Sequence, residues 1–155
     1  MNERRVISVI VENEHGVLSR ISGLFAGRGY NIETLTVAPI PNTKFSRLTI
    51  VTSGSPRVIE QIIKQLHKLI PVYKVIEHEE LIEKEMVLAK VPLSEKLADI
   101  EALCRAYNGS IANVGKDGII VMVADEPKRV SYFIKALDRF NPKEIIRGGV
   151  VAIER

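Results

Sequence analysis

The chain is 155 residues long, enough for one mid-sized domain or two compact ones of roughly 75 residues each. With 46% hydrophobic and 26% charged residues it has the composition of a globular protein, which excludes a disordered or fibrous chain. Its 22 Lys and Arg exceed its 19 Asp and Glu by too little to give the basic footprint that sequence-independent nucleic-acid binding needs.

The single cysteine, Cys104, leaves no intramolecular disulfide and no Cys-cluster metal site; it suits a reducing compartment and reads as a small buried apolar residue. The longest apolar run, residues 118–124, is far short of the ~20 residues of a membrane-spanning helix, and the N-terminal Met-Asn-Glu-Arg-Arg has no signal-peptide pattern. A cytoplasmic protein with no membrane partner is expected.

Residues 4–12 carry Val6, Ile7, Val9, Ile10 and Val11, a β-branched run that reads as a buried strand. It stops at the polar turn Asn13-Glu14-His15-Gly16. Val17, Leu18, Ile21, Leu24 and Phe25 then recur at helical spacing, and Gly27-Arg28-Gly29 ends the helix. Residues 30–38 and 45–52 read as a hairpin broken by Pro39-Ile40-Pro41-Asn42. Ser55 as N-cap and Pro56 at the first helical position open a second helix, with Val58, Ile59, Ile62, Ile63, Leu66 and Leu69 continuing to near Pro71. Residues 72–78 supply a last strand. The order β-α-β-β-α-β across 4–78 is ferredoxin-like, and right-handed crossovers put both helices on one sheet face. The other face, or an edge strand, is left for a partner subunit to cover.

Residues 79–85 are charge-rich and read as a linker. The element order then recurs: a strand at 86–91, then a helix capped by Ser94 with Leu97, Ile100, Leu103, Cys104 and Tyr107 on one face, then a turn at Asn108-Gly109. A hairpin of 110–114 and 118–124 turns at Gly115-Lys116-Asp117-Gly118. Asp125-Glu126-Pro127 opens a helix with Val130, Phe133, Ile134, Leu137 and Phe140 inward, and 145–153 closes as a strand interrupted by Gly148-Gly149. The fold class is therefore α+β, two tandem ferredoxin-like βαββαβ domains at 1–78 and 86–155. Residues 1–78 hold ten Lys or Arg against six Asp or Glu, and residues 79–155 twelve against thirteen, so similar architecture need not mean the same task.

Catalytic chemistry is hard to place on this chain. His15, His67 and His78 are far apart and fit no metal-ligand spacing. Gly23, Gly27 and Gly29 lie within and after a helix, whereas a dinucleotide fingerprint follows a strand and opens a helix. No phosphate-binding P-loop or nucleophile elbow is present. Tyr30, Phe45 and Tyr73 are too few for the aromatic platform of an RNA-binding version of this topology. No catalytic residue and no metal site is assigned.

One feature points to binding. Asn13 to Gly16 joins the first strand to the first helix, so free N–H groups at the helix start, beside a glycine without Cβ, can approach a carboxylate. Asn31, at the start of the second strand, can accept from an ammonium group through its side-chain oxygen. A small anionic or zwitterionic ligand fits this pattern. So does a plain turn shaped by Asn13 and Gly16 with Asn31 capping the returning strand.

The run from Val9 through Asn13-Glu14-His15-Gly16-Val17-Leu18-Ser19-Arg20, then Gly23-Leu24-Phe25, Gly29-Tyr30-Asn31-Ile32-Glu33-Thr34-Leu35-Thr36-Val37-Ala38-Pro39, Gln65-Leu66-His67-Lys68-Leu69 and the ending Arg147-Gly148-Gly149-Val150-Val151 resemble the regulatory small subunits of acetolactate synthase (acetohydroxyacid synthase). The resemblance implies that 1–78 is an ACT domain, an amino-acid-sensing module. It implies a non-catalytic subunit of branched-chain amino acid biosynthesis that activates a separate catalytic large subunit and confers feedback inhibition by valine. It places no cofactor on this chain; thiamine diphosphate, Mg and FAD are expected on the large subunit. The family's effector sits between two ACT domains of a homodimer. Carried over, the site is Asn13, Glu14, His15, Gly16, Val17 and Leu18 from one chain with Asn31 and Ile32 from the other. N–H groups of 16–18 would hold the carboxylate, Asn31 the ammonium, and Val17 or Ile32 the side chain. Two other readings stay open, a free-standing amino-acid-sensing ACT protein with a different partner and an enzyme with an unrecognised site.

Overall fold

A computed structural model describes residues 2–77 and 79–155. The chain divides into two compact units, one running to Leu81 and taking in Glu154 and Arg155, the other spanning Ile82–Ile153.

The first unit runs β1 (Glu3–Glu12), α1 (Val17–Gly27), β2 (Ile32–Pro39), β3 (Phe45–Gly54), α2 (Pro56–His67) and β4 (Val72–Glu77). The sheet order is β2-β3-β1-β4 with β1 antiparallel to both its neighbours, so the two halves interleave as a split βαβ pair. Ile7 lies opposite Ile50 and Val9 opposite Leu48, and these meet Val17, Ile21 and Phe25 of α1 and Ile62 and Leu66 of α2 in one buried core. Both helices thus cover the same face, as the crossover rule requires. Helix α1 ends in a Schellman turn. Gly29, at φ 67°, donates to Ala26 O at 3.2 Å and Tyr30 donates to Phe25 O at 2.9 Å, a backbone reversal that glycine enters without strain. Helix α2 opens as its sequence predicts: the Ser55 hydroxyl accepts from Val58 N at 3.3 Å and Pro56 takes the first position. The sequence reading carries the last strand to residue 78; β4 ends at Glu77, and His78 lies outside the described residues.

The second unit runs β5 (Leu81–Val91), α3 (Leu97–Ala106), β6 (Gly109–Gly115), β7 (Gly118–Asp125), α4 (Pro127–Leu137), a 3-10 turn (Asp138–Phe140), β8 (Glu144–Arg147) and β9 (Val151–Glu154). The order is β6-β7-β5-β8, and β9 also pairs with β5, so the closing strand is two short ones parted at Gly148-Gly149. Val87, Ala89 and Val91 face Val123, Val121 and Ile119 across the ladder and pack against Ile100, Cys104, Val130, Phe133 and Leu137.

Two boundaries differ from the sequence reading. Most of the expected linker 79–85 is strand: β5 starts at Leu81, and Glu83 and Glu85 turn toward the inner face while Ile82, Lys84 and Met86 are exposed. Charge density mimics a linker here because the partners that neutralise Glu85 lie far along the chain. Helix α3 starts two residues later than a Ser94 cap would place it. Glu95 N–H closes a turn on Pro92 O, the N-cap is Lys96, and no side chain caps the helix.

Cys104 is wholly buried. Desolvation pushes its thiol up to about 11; the nearby Glu101 charge adds to this, and a backbone hydrogen bond opposes it without reversing it. The folded protein should therefore resist thiol labelling at neutral pH and react fully in denaturant. Labelling of native protein at the rate of a free thiol would contradict this burial.

Candidate functional site

The loop after β1 is tied down by its backbone. Glu12 N–H donates to Pro71 O at 2.9 Å and Asn13 N–H to Lys44 O at 3.0 Å, which anchors the loop beside the β2–β3 hairpin. The Asn13 side-chain oxygen accepts from Ser46 Oγ at 2.9 Å. Asn13 therefore holds the loop in shape, and its side chain already has a partner.

Gly16 is the N-cap of α1, at φ 82° and ψ 0°. The left-handed conformation suits glycine and differs from the extended backbone of an ordinary N-cap. No side chain caps the helix, and its first turn contains no acidic residue. The first intrahelical bond runs from Arg20 N–H to Gly16 O at 2.9 Å, so the N–H groups of Val17, Leu18 and Ser19 point out of the helix start without helical acceptors. A Cβ on Gly16 would meet nothing within 4 Å. The result is an uncovered helix N-terminus with its partial positive charge unanswered, the arrangement that receives a carboxylate. Beside it a depression of about 320 Å³ is lined by Glu12, Asn13, Glu14, Lys44 and Phe45. Lys44 has no signal in sequence, since a hairpin lysine reads as surface; the pairing of Glu12 with Phe45 and the Asn13–Lys44 backbone bond bring it to the loop.

Glu14, His15 and Leu18 are exposed at this end. Val17 is different. Its side chain is buried in the core with Ile21 and Phe25, so it offers its N–H and not its isopropyl group, and of the two side chains suggested for an apolar ligand contact only half-buried Ile32 retains access.

Asn31 does not lie near this loop in the same chain. Ile32 pairs with Thr52, and Thr52 with Arg5, whereas the loop follows Glu12. Seven strand residues at about 3.4 Å each separate the two by more than roughly 20 Å. The cause is topological: α1 carries the chain back to the end of the sheet where β1 began, so β1 and β2 run parallel and start together. Asn31 is exposed, and its backbone oxygen accepts from the Thr52 hydroxyl. Its side chain is not what holds the strand.

The unit is thus a ferredoxin-like fold with an uncovered helix start after β1 and an exposed edge strand β2, which is the build of an ACT domain. Residues 7–74 match the AHAS small subunit-like ACT domain, and residues 84–155 match the small subunit of acetolactate synthase. The chain is 42% identical over 158 aligned residues to the acetolactate synthase small subunit of Buchnera aphidicola subsp. Schizaphis graminum, with 98% of this chain and 99% of that one covered. It is 40% identical to the acetolactate synthase isozyme 3 small subunit of Escherichia coli K12, with coverage of 98% and 96%. The crystal structure of the acetolactate synthase small subunit from Thermotoga maritima superposes with a TM-score of 0.90 at 35% identity, over 99% of this chain and 98% of that one. This chain belongs to the acetolactate synthase small subunit family. The tandem ferredoxin-like architecture expected from sequence is that of the family.

Among the described residues no helix is long and apolar enough to cross a membrane, and no three His, Cys, Asp or Glu side chains lie together as a metal site.

Proposed function

We propose that this chain is the non-catalytic regulatory subunit of an acetolactate synthase in the cytoplasm. It binds the catalytic large subunit, raises its activity and makes it subject to feedback inhibition by valine. Thiamine diphosphate, magnesium and FAD belong to the large subunit. The observation that carries the sensing role is the uncapped start of α1 behind Gly16, an anion site with no ligand from its own chain.

The separation of Asn31 from that loop supports a site shared between two copies. β2 is an edge strand, and Val37 on it is exposed. Two copies joined by antiparallel β2–β2 pairing about a two-fold axis would set the start of one β2 beside the end of the other. The end of β2 leads into the hairpin that holds the 13–16 loop, so one chain's Asn31 and Ile32 would meet the other chain's helix start. A carboxylate on the N–H groups, an ammonium on Asn31 and a branched side chain on Ile32 would then describe an α-amino acid such as valine.

The purified chain should form no acetolactate from pyruvate. Added to its large subunit it should raise turnover, and valine should lower the turnover so gained. Sedimentation of the full chain should report a dimer or larger. Acetolactate made at a substantial rate by this chain free of large subunit, or a large subunit indifferent to it, would overturn the reading.

A further inference from the structure

Helices α1 and α2 enclose a trough of about 790 Å³, open to solvent, on the outer face of the first unit. Arg20 and Arg28 stand at its two ends on α1, with Gly23 and Gly27 between them; Gln61 and Gln65 of α2 form the opposite wall. No acidic side chain lines it. The imbalance extends over the whole helical layer. Residues 17–28 and 55–68 carry Arg20, Arg28, Arg57, Lys64 and Lys68 against a single acid, Glu60, and Glu60 already pairs with Lys64 at 3.4 Å.

The two glycines add a geometric point. Gly23 sits in mid-helix, where glycine is less stable than alanine by roughly 1 kcal/mol, and Gly27 is the last residue of α1, where the difference is smaller but of the same sign. Neither is demanded by the chain's own packing, since a Cβ on Gly23 or Gly27 would meet nothing within 4 Å. They leave the helix backbone open at the floor of the trough.

We propose that this trough docks an acidic segment of the catalytic large subunit. The inference rests on the reading of this chain as a regulatory subunit. Arg20 lies in α1 and Arg28 is its C-cap eight residues on, which sets their attachment points about 12 Å from each other. The occupant carries two carboxylates at matching spacing, and a narrow backbone or small side chains against Gly23 and Gly27. Gln61 and Gln65 supply both donors and acceptors along the far wall. A small molecule would be poorly enclosed by so open a trough, whereas a chain segment lies along its length. α1 then serves two surfaces, its first-turn N–H groups facing the effector and its later turns facing the partner, so a ligand that shifts this helix is felt at the docking site.

The test is association of the full chain with its large subunit, followed by calorimetry and by activation titration. The double variant Arg20→Glu/Arg28→Glu should weaken association by at least about ten-fold and flatten its dependence on salt. Gly27→Ala should move two readouts in opposite directions, raising the melting temperature of the chain while weakening association, a combination that a merely structural glycine would not produce. If parent and variants associate equally, the trough is not the docking site although the regulatory reading stands. If the parent itself does not associate, both fall. A charge-reversed chain that loses self-association but keeps its affinity for the large subunit would assign the trough to a second copy and overturn the proposal.

Discussion

Arg147→Ala should destabilise the second unit by about 2–3 kcal/mol. The reason is a carboxylate pair set directly opposite one another in the β5–β7 ladder. Glu85 and Asp125 are paired residues in register, and both are almost fully buried. Like charges across a ladder repel, and each buried carboxylate needs a cation. Glu85 takes Arg147, whose Nε donates at 2.7 Å and whose Nη2 also reaches the same oxygen. Nη2 further donates to Pro127 O and Ser131 Oγ, each at 3.0 Å, which ties β8 to the start of α4. Removing the guanidinium leaves Glu85 buried and unpaired. The estimate sits below the ~3–5 kcal/mol of a fully buried pair because Arg147 itself is 38% exposed. Cys104 gives the readout, since it reacts only when this unit opens. Native-state labelling should accelerate by roughly 30-fold to 150-fold in the variant. An unchanged rate would mean that water or a neighbouring cation already satisfies Glu85.

Asp125 obeys the same logic with a pH signature. Burial alone would raise its pKa, but the Arg129 hydrogen bond at 2.6 Å, the Glu126 N–H at 2.8 Å and the charges of Arg129 and Lys84 together hold the carboxyl below its ordinary value. A depressed folded-state pKa contributes stability that is present above the unfolded carboxylate range and is lost as pH falls through the folded value. The second unit should therefore resist mild acid and give way below the usual aspartate range. Arg129→Gln should move its acid-unfolding midpoint to higher pH. Acid titration followed by circular dichroism, with Cys104 labelling to assign the unit, measures the shift; a midpoint unmoved in the variant would show that Arg129 does not hold the charge.

These same residues mark where sequence and structure part. Strands such as 4–12 and 118–124 and helices such as 56–67 are legible because burial imposes a period of two or 3.6 on neighbouring residues, which a short window contains. Glu85 shares the inner face with Val87, Ala89 and Val91 and is tolerated there because Arg147 meets it from 62 positions away, and no local pattern can report that pairing. From sequence alone, 79–85 reads as a charge-rich junction. Ser94 illustrates a smaller failure: it has the chemistry of an N-cap, yet the turn from Pro92 to Glu95 uses its position, and Lys96 stands at the helix start. The candidate site is split in the same way. A polar turn ending in glycine before an apolar helix is a local signal, so the loop at 13–16 could be found. That Val17 belongs to the core, that Lys44 lies beside the loop, and that Asn31 lies at the far end of its own sheet all follow from how β1, α1 and β2 are stacked.

Gly16→Asp should leave a folded subunit that still activates its partner and no longer responds to valine. The glycine sits at φ 82°, so any side chain brings strain of about 1–2 kcal/mol, but aspartate is among the residues that enter this region most readily, and open space surrounds the position. Its carboxylate would lie beside the N–H groups of Val17, Leu18 and Ser19 and take the place proposed for the ligand's, adding like-charge repulsion to direct competition. Gly16→Ala separates the two effects, since it carries comparable strain without the charge and should keep most of the valine response. Asn31→Ala tests the other half of the site. Its backbone oxygen, not its side chain, is bonded to Thr52, so the strand should survive the change. Loss of one hydrogen bond to an ammonium weakens binding by roughly 1.5–3 kcal/mol, about ten-fold to a hundred-fold in affinity. Because the two residues lie at opposite ends of one sheet, the proposed dimer adds a sharper check. Each mixed dimer of a Gly16→Asp chain with an Asn31→Ala chain should hold one site damaged twice and one site intact, and so recover about half the valine-binding capacity that either homodimer lacks. Isothermal titration of all three dimers decides the matter: with both homodimers impaired, recovery of one high-affinity site in the mixed dimer requires a site built across two chains, no recovery would put both residues in one chain's own site, and an unimpaired Asn31→Ala homodimer would place Asn31 outside it.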